Sequence, residues 1–391
     1  MSSVPQGLWS SGFRPFFLMG AAYGPLALLL WVAARFGGWP LDSAALALGH
    51  AHELLYGFAT AIVCGVLLTA LPGWTGGTEL RGRALMLLAG LWLAGRLAWW
   101  GAPWLPPALV LLVDCALVPV LCAMLWPTLA WARQRLFLWT LPPLLALALG
   151  NLLVHLALLR GSVADASFGL VLGLHALAFL YSLYGGLLTP AFTRNWLGQR
   201  GETCGAILVP LEIATAISMV LFAAADLAQA GPHWMAAAAA LACGLHAWRC
   251  VRWRGWRTTA EPLLWTLHGG YVMLIAAIAL RGLSAVFPVR VPPDAWLHVF
   301  TLGALGLTML GLMTRVVLRH TGRPLRAPGV MKTAYALVLA ATLLRLAYTV
   351  HHLGVAVLLL AALLWAGAFG LYLLCFAGVL LRPSLARARA P

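Results

Sequence analysis

The sequence predicts an all-α integral membrane protein with about twelve transmembrane helices. The chain of 391 residues is 63% hydrophobic and 9% charged, whereas soluble domains carry roughly 25% charged residues. Apolar runs recur along its whole length, and each crossing of a bilayer needs roughly 20 apolar residues. The connecting segments are short, so the sequence predicts one polytopic membrane domain without a separate soluble domain.

The predicted spans are separated by segments rich in glycine, proline, tryptophan and arginine. Glycine and proline interrupt helices, and tryptophan and arginine favour the membrane–water interface. No alternation typical of strands is present. The expected spans are 16–36, 47–70, 84–101, 107–131, 136–160, 167–193, 205–229, 232–253, 262–287, 293–318, 329–350 and 355–381.

The basic residues indicate the orientation of the chain. The net charge is +15, Lys332 is the single lysine, and most arginines follow even-numbered spans. The positive-inside rule therefore predicts that both termini are cytoplasmic. No face that combines aromatic and basic residues indicates nucleic-acid binding. The arginines concerned are Arg81, Arg83, Arg133, Arg135, Arg194, Arg200, Arg249, Arg252, Arg254, Arg257, Arg319, Arg323, Arg326, Arg382, Arg387 and Arg389.

Three spans begin with related phrases around His50, His175 and His298, which are 125 and 123 residues apart. In addition, Arg96-Leu97-Ala98-Trp99 is similar to Arg345-Leu346-Ala347-Tyr348. Self-similarity at a fixed period indicates repeated structural units. We infer three pseudo-repeats of four helices; chance similarity between apolar helices is the alternative. The repeats cover roughly residues 10–131, 136–253 and 262–381.

Buried histidines point to a metal site, because an ionisable side chain inside a bilayer is costly unless it has a function. The repeats would bring His50 or His52, His175 and His298 to a similar depth in the outer third of the membrane. A ring of imidazoles suits a metal inside a helical bundle. His50 and His52 lie roughly 200° apart on a regular helix. One of the two therefore faces the site, while the other faces a second site or a packing partner; purely structural hydrogen bonding is the alternative.

Other ionisable residues leave alternatives open. His268 and His320 lie near inner helix ends and form either a second metal site or, for His320, a hydrogen bond in a loop. Glu53 is a candidate ligand, hydrogen-bond acceptor for a ligand, or proton-carrying catalytic group. His155 lies at an outer helix end, where a solvated, interfacial histidine is the common case.

Two arginines and two carboxylates inside the spans complete the set of candidates. Arg96 and Arg345 lie near outer helix ends, where they would bind haem propionates or extend to the interface. Asp114 and Glu212 belong either to a proton path or to ion pairs with arginines.

The sequence resembles the NnrS family of bacterial membrane proteins in several phrases along nearly the whole chain. The resemblance implies haem b and copper, a bacterial inner-membrane location and a link to nitric oxide and denitrification; it also adds Arg14 as a cofactor-binding candidate. Gly73 and Arg319 depart from the usual family pattern. The matching phrases are Gly12-Phe13-Arg14-Pro15-Phe16-Phe17, His50-Ala51-His52-Glu53-Leu54, Leu67-Leu68-Thr69-Ala70-Leu71-Pro72, Trp74-Thr75-Gly76, Phe192-Thr193-Arg194-Asn195, Met313-Thr314-Arg315 and His320-Thr321-Gly322-Arg323-Pro324.

These features favour a haem- and copper-binding inner-membrane protein that binds or turns over nitric oxide, or a related nitrogen oxide, and protects against nitrosative stress. In a reductase version, the histidines hold the metals and Glu53 delivers protons. One alternative is a transporter of copper, haem or a small anion; another is a metal-based sensor or assembly factor. Membrane lipids are expected partners, whereas the electron donor and a homo-oligomeric state stay open.

Overall fold

The computed structural model describes residues 7–38, 43–132 and 135–385, with the backbone alone for residues 43–46. Arg133, Arg387 and Arg389, which contributed to the predicted orientation, lie outside these residues. The described residues form helices and connecting segments and contain no strand.

The helices follow one another along the chain and match the predicted spans to within five residues at either end. We number them α1 to α12 in chain order. Helix α2 combines a helix over Ser43–His52, a π-helical segment over Glu53–Ala59 and a helix over Thr60–Thr75. The others are α1 Phe13–Phe36, α3 Gly82–Trp100, α4 Pro107–Ala130, α5 Leu141–Leu159, α6 Val163–Gly198, α7 Val209–Leu227, α8 Pro232–Arg252, α9 Pro262–Val286, α10 Ala295–His320, α11 Gly329–His351 and α12 Val355–Leu381.

Among the described residues, ten helices are long and apolar enough to cross a membrane. The other two, α3 and α8, carry arginines, yet they form continuous helices of 19 and 21 residues. Helices of that length extend roughly 30 Å, which is the thickness of the hydrocarbon core. The predicted all-α, multi-pass membrane fold is therefore confirmed.

Two helices widen into a π-helical turn directly after a histidine. In α2 the π-helical segment Glu53–Ala59 follows His52, and in α10 the segment Val299–Leu305 follows His298. In α2 the wider turn is stabilised by the Thr60 hydroxyl, which donates to the carbonyl oxygen of Leu55 at 2.9 Å. Single π turns inside α-helices occur frequently at functional sites. Because both π-helical segments begin directly after a histidine, His298 corresponds to His52 and not to His50.

The contacts divide the chain into two compact units. Unit 1 comprises Met1–Leu177, Val316–Leu325 and Phe369–Pro391, as far as these are described. Unit 2 comprises Ala178–Arg315 and Arg326–Ala368. The three pseudo-repeats stay a prediction.

Candidate metal centre

Six polar side chains from four helices of unit 1 meet in the protein interior. Each is at most 5% exposed, and ionisable groups at such positions are costly unless they are paired or bind a cation. The cluster contains one guanidinium, two carboxylates, two imidazoles and one amide. We call it the α2–α5 cluster: His52 and Glu53 from α2, Arg96 from α3, Asp114 from α4, and Asn151 and His155 from α5.

Local structure brings these side chains together. Asn151 and His155 are four residues apart on α5 and therefore lie on the same face of that helix. The close approach of α3 and α4 depends on Gly95, because a Cβ atom there would lie 3.0 Å from Asp114 Oδ1. The π-helical segment of α2 begins at Glu53, which places Glu53 beside His52 in the cluster.

Arg96 lies between the two carboxylates. It donates from Nη1 to Glu53 Oε1 at 2.5 Å and from Nη2 to Asp114 Oδ1. Arg96 therefore does not extend to the interface, and haem-propionate binding by Arg96 stays a prediction. The physical reason is that Asp114 and Glu53 supply its counter-charges within the bundle. With both carboxylates ionised, one guanidinium balances one of them, and one negative charge remains in the interior.

Three of the side chains form a potential metal-binding triad. One ligand atom each from His52, Asp114 and His155 lies within 4.8 Å of the other two. His52 Nε2 is 3.2 Å, and His155 Nε2 is 2.8 Å, from Asp114 Oδ2. Two imidazoles and a carboxylate are a donor set that suits copper, iron or zinc.

The surroundings of His52 have a place for an additional proton or cation. Its Nδ1 is 2.8 Å from Glu53 Oε1, while its Nε2 is 2.9 Å from Asn151 Oδ1 and 3.2 Å from Asp114 Oδ2. A neutral imidazole has one N–H donor, and an ionised carboxylate or an amide oxygen only accepts. Both ring nitrogens thus face acceptors. A proton, on the ring or on Glu53, or a metal ion at one ring nitrogen would compensate.

His155 was predicted to be solvated at the interface, and that prediction is wrong. Its side chain is buried and bonds Asp114, because the outer end of α5 packs against α4 and does not face water. Asn151 was not singled out at all. An asparagine and a histidine four residues apart in an apolar helix form one polar stripe, and this pattern was the available signal.

The other predicted outer-side histidines are distributed over both units. In unit 1, the ring of His50 packs on Trp31 at a centroid distance of 4.5 Å, and His175 is buried in α6. In unit 2, His298 Nδ1 is 3.1 Å from the carbonyl oxygen of Asp294. A backbone carbonyl at Nδ1 fixes the proton there and leaves the Nε2 lone pair for a ligand.

The remaining predicted site residues have the following environments. Arg345 lies near Asp294, with 3.6 Å between Nη2 and Oδ2. Arg14 in unit 1 is buried and donates to carbonyl oxygens at the end of α12 and to Ser384 Oγ. These bonds satisfy the last carbonyls of that helix, which is a structural role; cofactor binding by Arg14 stays a prediction.

The two inner-side histidines differ in burial. His320 is exposed, and its ring lies 5.8 Å from that of Phe13. His268 is buried in unit 2, and its Nε2 is 2.8 Å from Thr193 Oγ1. Because the Thr193 hydroxyl donates to the carbonyl of Thr189 at 2.7 Å, it accepts from His268 Nε2–H. The lone pair of His268 is therefore on Nδ1, which has no hydrogen-bond partner in the described part of the chain.

A second buried network lies in unit 2. Arg249 is one of the arginines from which the orientation was predicted. It is buried in α8 and forms an ion pair with Glu212 of α7. This pairing is one of the alternatives predicted for Glu212. Arg249 also donates to the hydroxyl of Tyr271 at 2.9 Å, and that hydroxyl is 2.6 Å from His246 Nδ1. In this network the buried cation is Arg249, and the carboxylate of Glu212 is paired with it, so the network has no unpaired carboxylate.

Together, the helical fold and the buried cluster define a polytopic α-helical membrane protein with an intramembrane ionisable site that can hold a metal ion. A family model described as NnrS protein matches residues 7–384. The chain therefore belongs to the NnrS family. Among curated proteins, no relative matches the chain.

Proposed function

We propose that this protein is a metal-binding membrane protein of nitric oxide metabolism and that copper binds to His52, His155 and Asp114. The observation that carries the proposal is the placement of both ring nitrogens of His52 against oxygen acceptors in the buried interior. A cation bound at Nε2 would satisfy the facing oxygens and neutralise the remaining carboxylate charge. Membership of the NnrS family favours copper and nitric oxide.

The surrounding residues have separate tasks in this proposal. Glu53 accepts from His52 Nδ1–H and so fixes the ring with Nε2 directed at the site, as carboxylates do for histidine ligands of metals. Arg96 holds the carboxylates of Glu53 and Asp114 at the same time. Asn151 donates from Nδ2 to Asp114 Oδ2 at 3.0 Å. Bound copper would supply a redox-active Lewis acid for nitrogen oxides.

Glu53 is also our candidate for the proton-carrying group. Its Oε1 is engaged by His52 and Arg96, whereas its buried Oε2 has no hydrogen-bond partner among the described residues. An acceptor of this kind, next to a proposed metal site, can hold a proton for a small bound molecule. This role would make the protein an oxidoreductase; in a sensor, the same residues would bind without turnover.

Haem is proposed at His298 in unit 2. The carbonyl of Asp294 orients the imidazole of His298, and Arg345 lies near the same aspartate. The fit rests on this donor set: an imidazole with its lone pair on Nε2 and a nearby guanidinium that can bind a carboxylate. The predicted roles of His50, His175, His268 and His320 as metal ligands stay predictions.

The arginine-rich inner segments support a bacterial inner-membrane location with both termini in the cytoplasm. Fusions of a reporter that works only in the cytoplasm to either terminus test this orientation. An active reporter at both ends is expected, and an inactive one at either end contradicts it.

Metal analysis and optical spectra of the purified protein, with and without nitric oxide, test the proposed function. We expect bound copper and a Soret band that shifts with nitric oxide. His52→Ala and His155→Ala should each lose copper, and His298→Ala should lose haem, whereas His233→Ala, at an exposed histidine, should retain both. Copper retained in both triad variants contradicts the copper site, and no Soret band with ample haem contradicts the haem site.

Copper uptake separates this function from the transport alternative. Vesicles that contain the protein should bind copper in proportion to the amount of protein and should not accumulate it further with time. Continued accumulation that His52→Ala abolishes would instead favour a transporter.

A further inference from the structure

One side of His52 is covered by an aromatic ring. The indole of Trp99, on α3, lies parallel to the imidazole of His52, with 3.6 Å between ring centroids and 9° between planes. The same indole meets His155 edge-on at 5.7 Å and 83°. Trp99 is therefore in contact with both histidines of the triad.

The position of Trp99 follows from helix geometry. It lies three residues after Arg96, and residues three apart share a helix face. One face of α3 thus supplies both the guanidinium that holds the carboxylates and the indole that covers the imidazole. Its neighbour Trp100 faces elsewhere, because its Nε1–H donates to the hydroxyl of Tyr23 at 2.8 Å.

We propose that Trp99 is a positioning residue of the metal site, which strengthens copper binding through His52 and favours the oxidised ion. This inference rests on the proposed copper site. An imidazole that binds a metal gains positive charge, and tryptophan has the aromatic face that best attracts a cation. The attraction is stronger for Cu(II) than for Cu(I), because the oxidised ion carries more charge. Trp99 therefore lowers the reduction potential of the bound copper.

The stacking also restricts the geometry of the site. With one face of the imidazole covered and Nδ1 held by Glu53, His52 can rotate little about its side-chain bonds. A ligand with a fixed orientation loses less conformational freedom when the metal binds. Both effects act in the same direction on the copper affinity.

The test compares three variants of the full-length protein: Trp99→Leu, Trp99→Phe and, as a matched control, Trp100→Leu. Copper affinity is measured by competition with a chelator, and the reduction potential by redox titration of the Cu(II) EPR signal. Trp99→Leu should bind Cu(II) about tenfold more weakly and should have a higher potential. Trp99→Phe, which keeps an aromatic face, should lie between Trp99→Leu and wild type, and Trp100→Leu should match wild type.

The outcomes distinguish the two proposals. If wild-type protein binds no copper, the proposed copper site is wrong. If wild type binds copper and Trp99→Leu has the same affinity and potential, the role of Trp99 alone is overturned. If Trp99→Leu does not fold, Trp99→Phe decides, because equality with wild type in both measurements overturns the inference. An equal loss in Trp100→Leu also overturns it, because the effect would then be a general one of losing an indole from α3.

Discussion

The two units each contain a histidine followed by a π-helical turn, but they surround it differently. In unit 1, His52 is followed by Glu53, and Arg96 pairs with that glutamate and with Asp114. In unit 2, His298 is followed by Val299, and Arg345 lies near Asp294, whose side chain is 48% exposed. The same backbone feature thus supports a closed, charged cluster in unit 1 and a more open histidine in unit 2.

The carboxylates, and not the histidines, distinguish the two regions. In unit 1 a side chain holds Nδ1 of the histidine, whereas in unit 2 a backbone carbonyl holds it. In unit 1 the aromatic residue of the shared Arg-Leu-Ala phrase stacks on the histidine, whereas in unit 2 Tyr348 lies by the arginine at 5.3 Å. This contrast is the reason why we propose copper in unit 1 and haem in unit 2.

Removal of the Asp114 carboxylate should have the largest effect on the free energy of unfolding. Asp114→Ala leaves Arg96 buried with an incomplete set of partners, and breaking a buried ion pair costs about 3–5 kcal/mol. Asp294→Ala, at a partly exposed pair in unit 2, should cost at most about 1 kcal/mol. The free energy of unfolding in mixed micelles measures both. Similar losses in the two variants would contradict the distinction between a closed and an open region.

The second-largest loss of stability is expected from a substitution at Gly95, where α3 and α4 approach each other closely. A Cβ atom on Gly95 would lie 3.0 Å from Asp114 Oδ1 and 3.4 Å from its Cα, so Gly95→Ala forces α4 away and should cost about 1–3 kcal/mol. Unit 2 has Leu344 at the corresponding position before its arginine. Gly90→Ala on the same helix meets nothing within 4 Å and is the control. Unchanged stability and copper content in Gly95→Ala would show that the glycine is not required.

Part of this comparison could be predicted from the sequence. Hydropathy and helix breakers gave the all-α membrane fold, and the cost of burying charge singled out His52, Glu53, Arg96 and Asp114. The partners of Arg96 could not be predicted, because neighbouring helices along the chain need not present their polar faces to each other. Nor does any local pattern indicate that a π-helical turn follows His52, since the turn depends on packing around α2.

A third effect concerns the orientation of the two histidines. Glu53→Leu removes the acceptor at His52 Nδ1, and loss of such a partner typically weakens metal binding 10- to 100-fold. Asp294→Asn leaves the backbone carbonyl that holds His298, so haem content should not change. Chelator competition for copper and the Soret absorbance for haem measure the two effects. Full copper affinity in Glu53→Leu would mean that Trp99 and Asn151 suffice to orient the ring.

The smallest change in stability is expected for Arg345. Its ion pair with Asp294 is partly solvated, so Arg345→Gln should alter the free energy of unfolding by less than about 1 kcal/mol. If Arg345 binds a haem propionate, the same variant should lose haem while it stays folded. The matched variant Arg96→Gln should behave in the opposite way, since Arg96 is enclosed by two carboxylates: it should unfold readily and reduce copper content. Loss of haem from Arg96→Gln at unchanged copper content would reverse the assignment of the two metals to the two units.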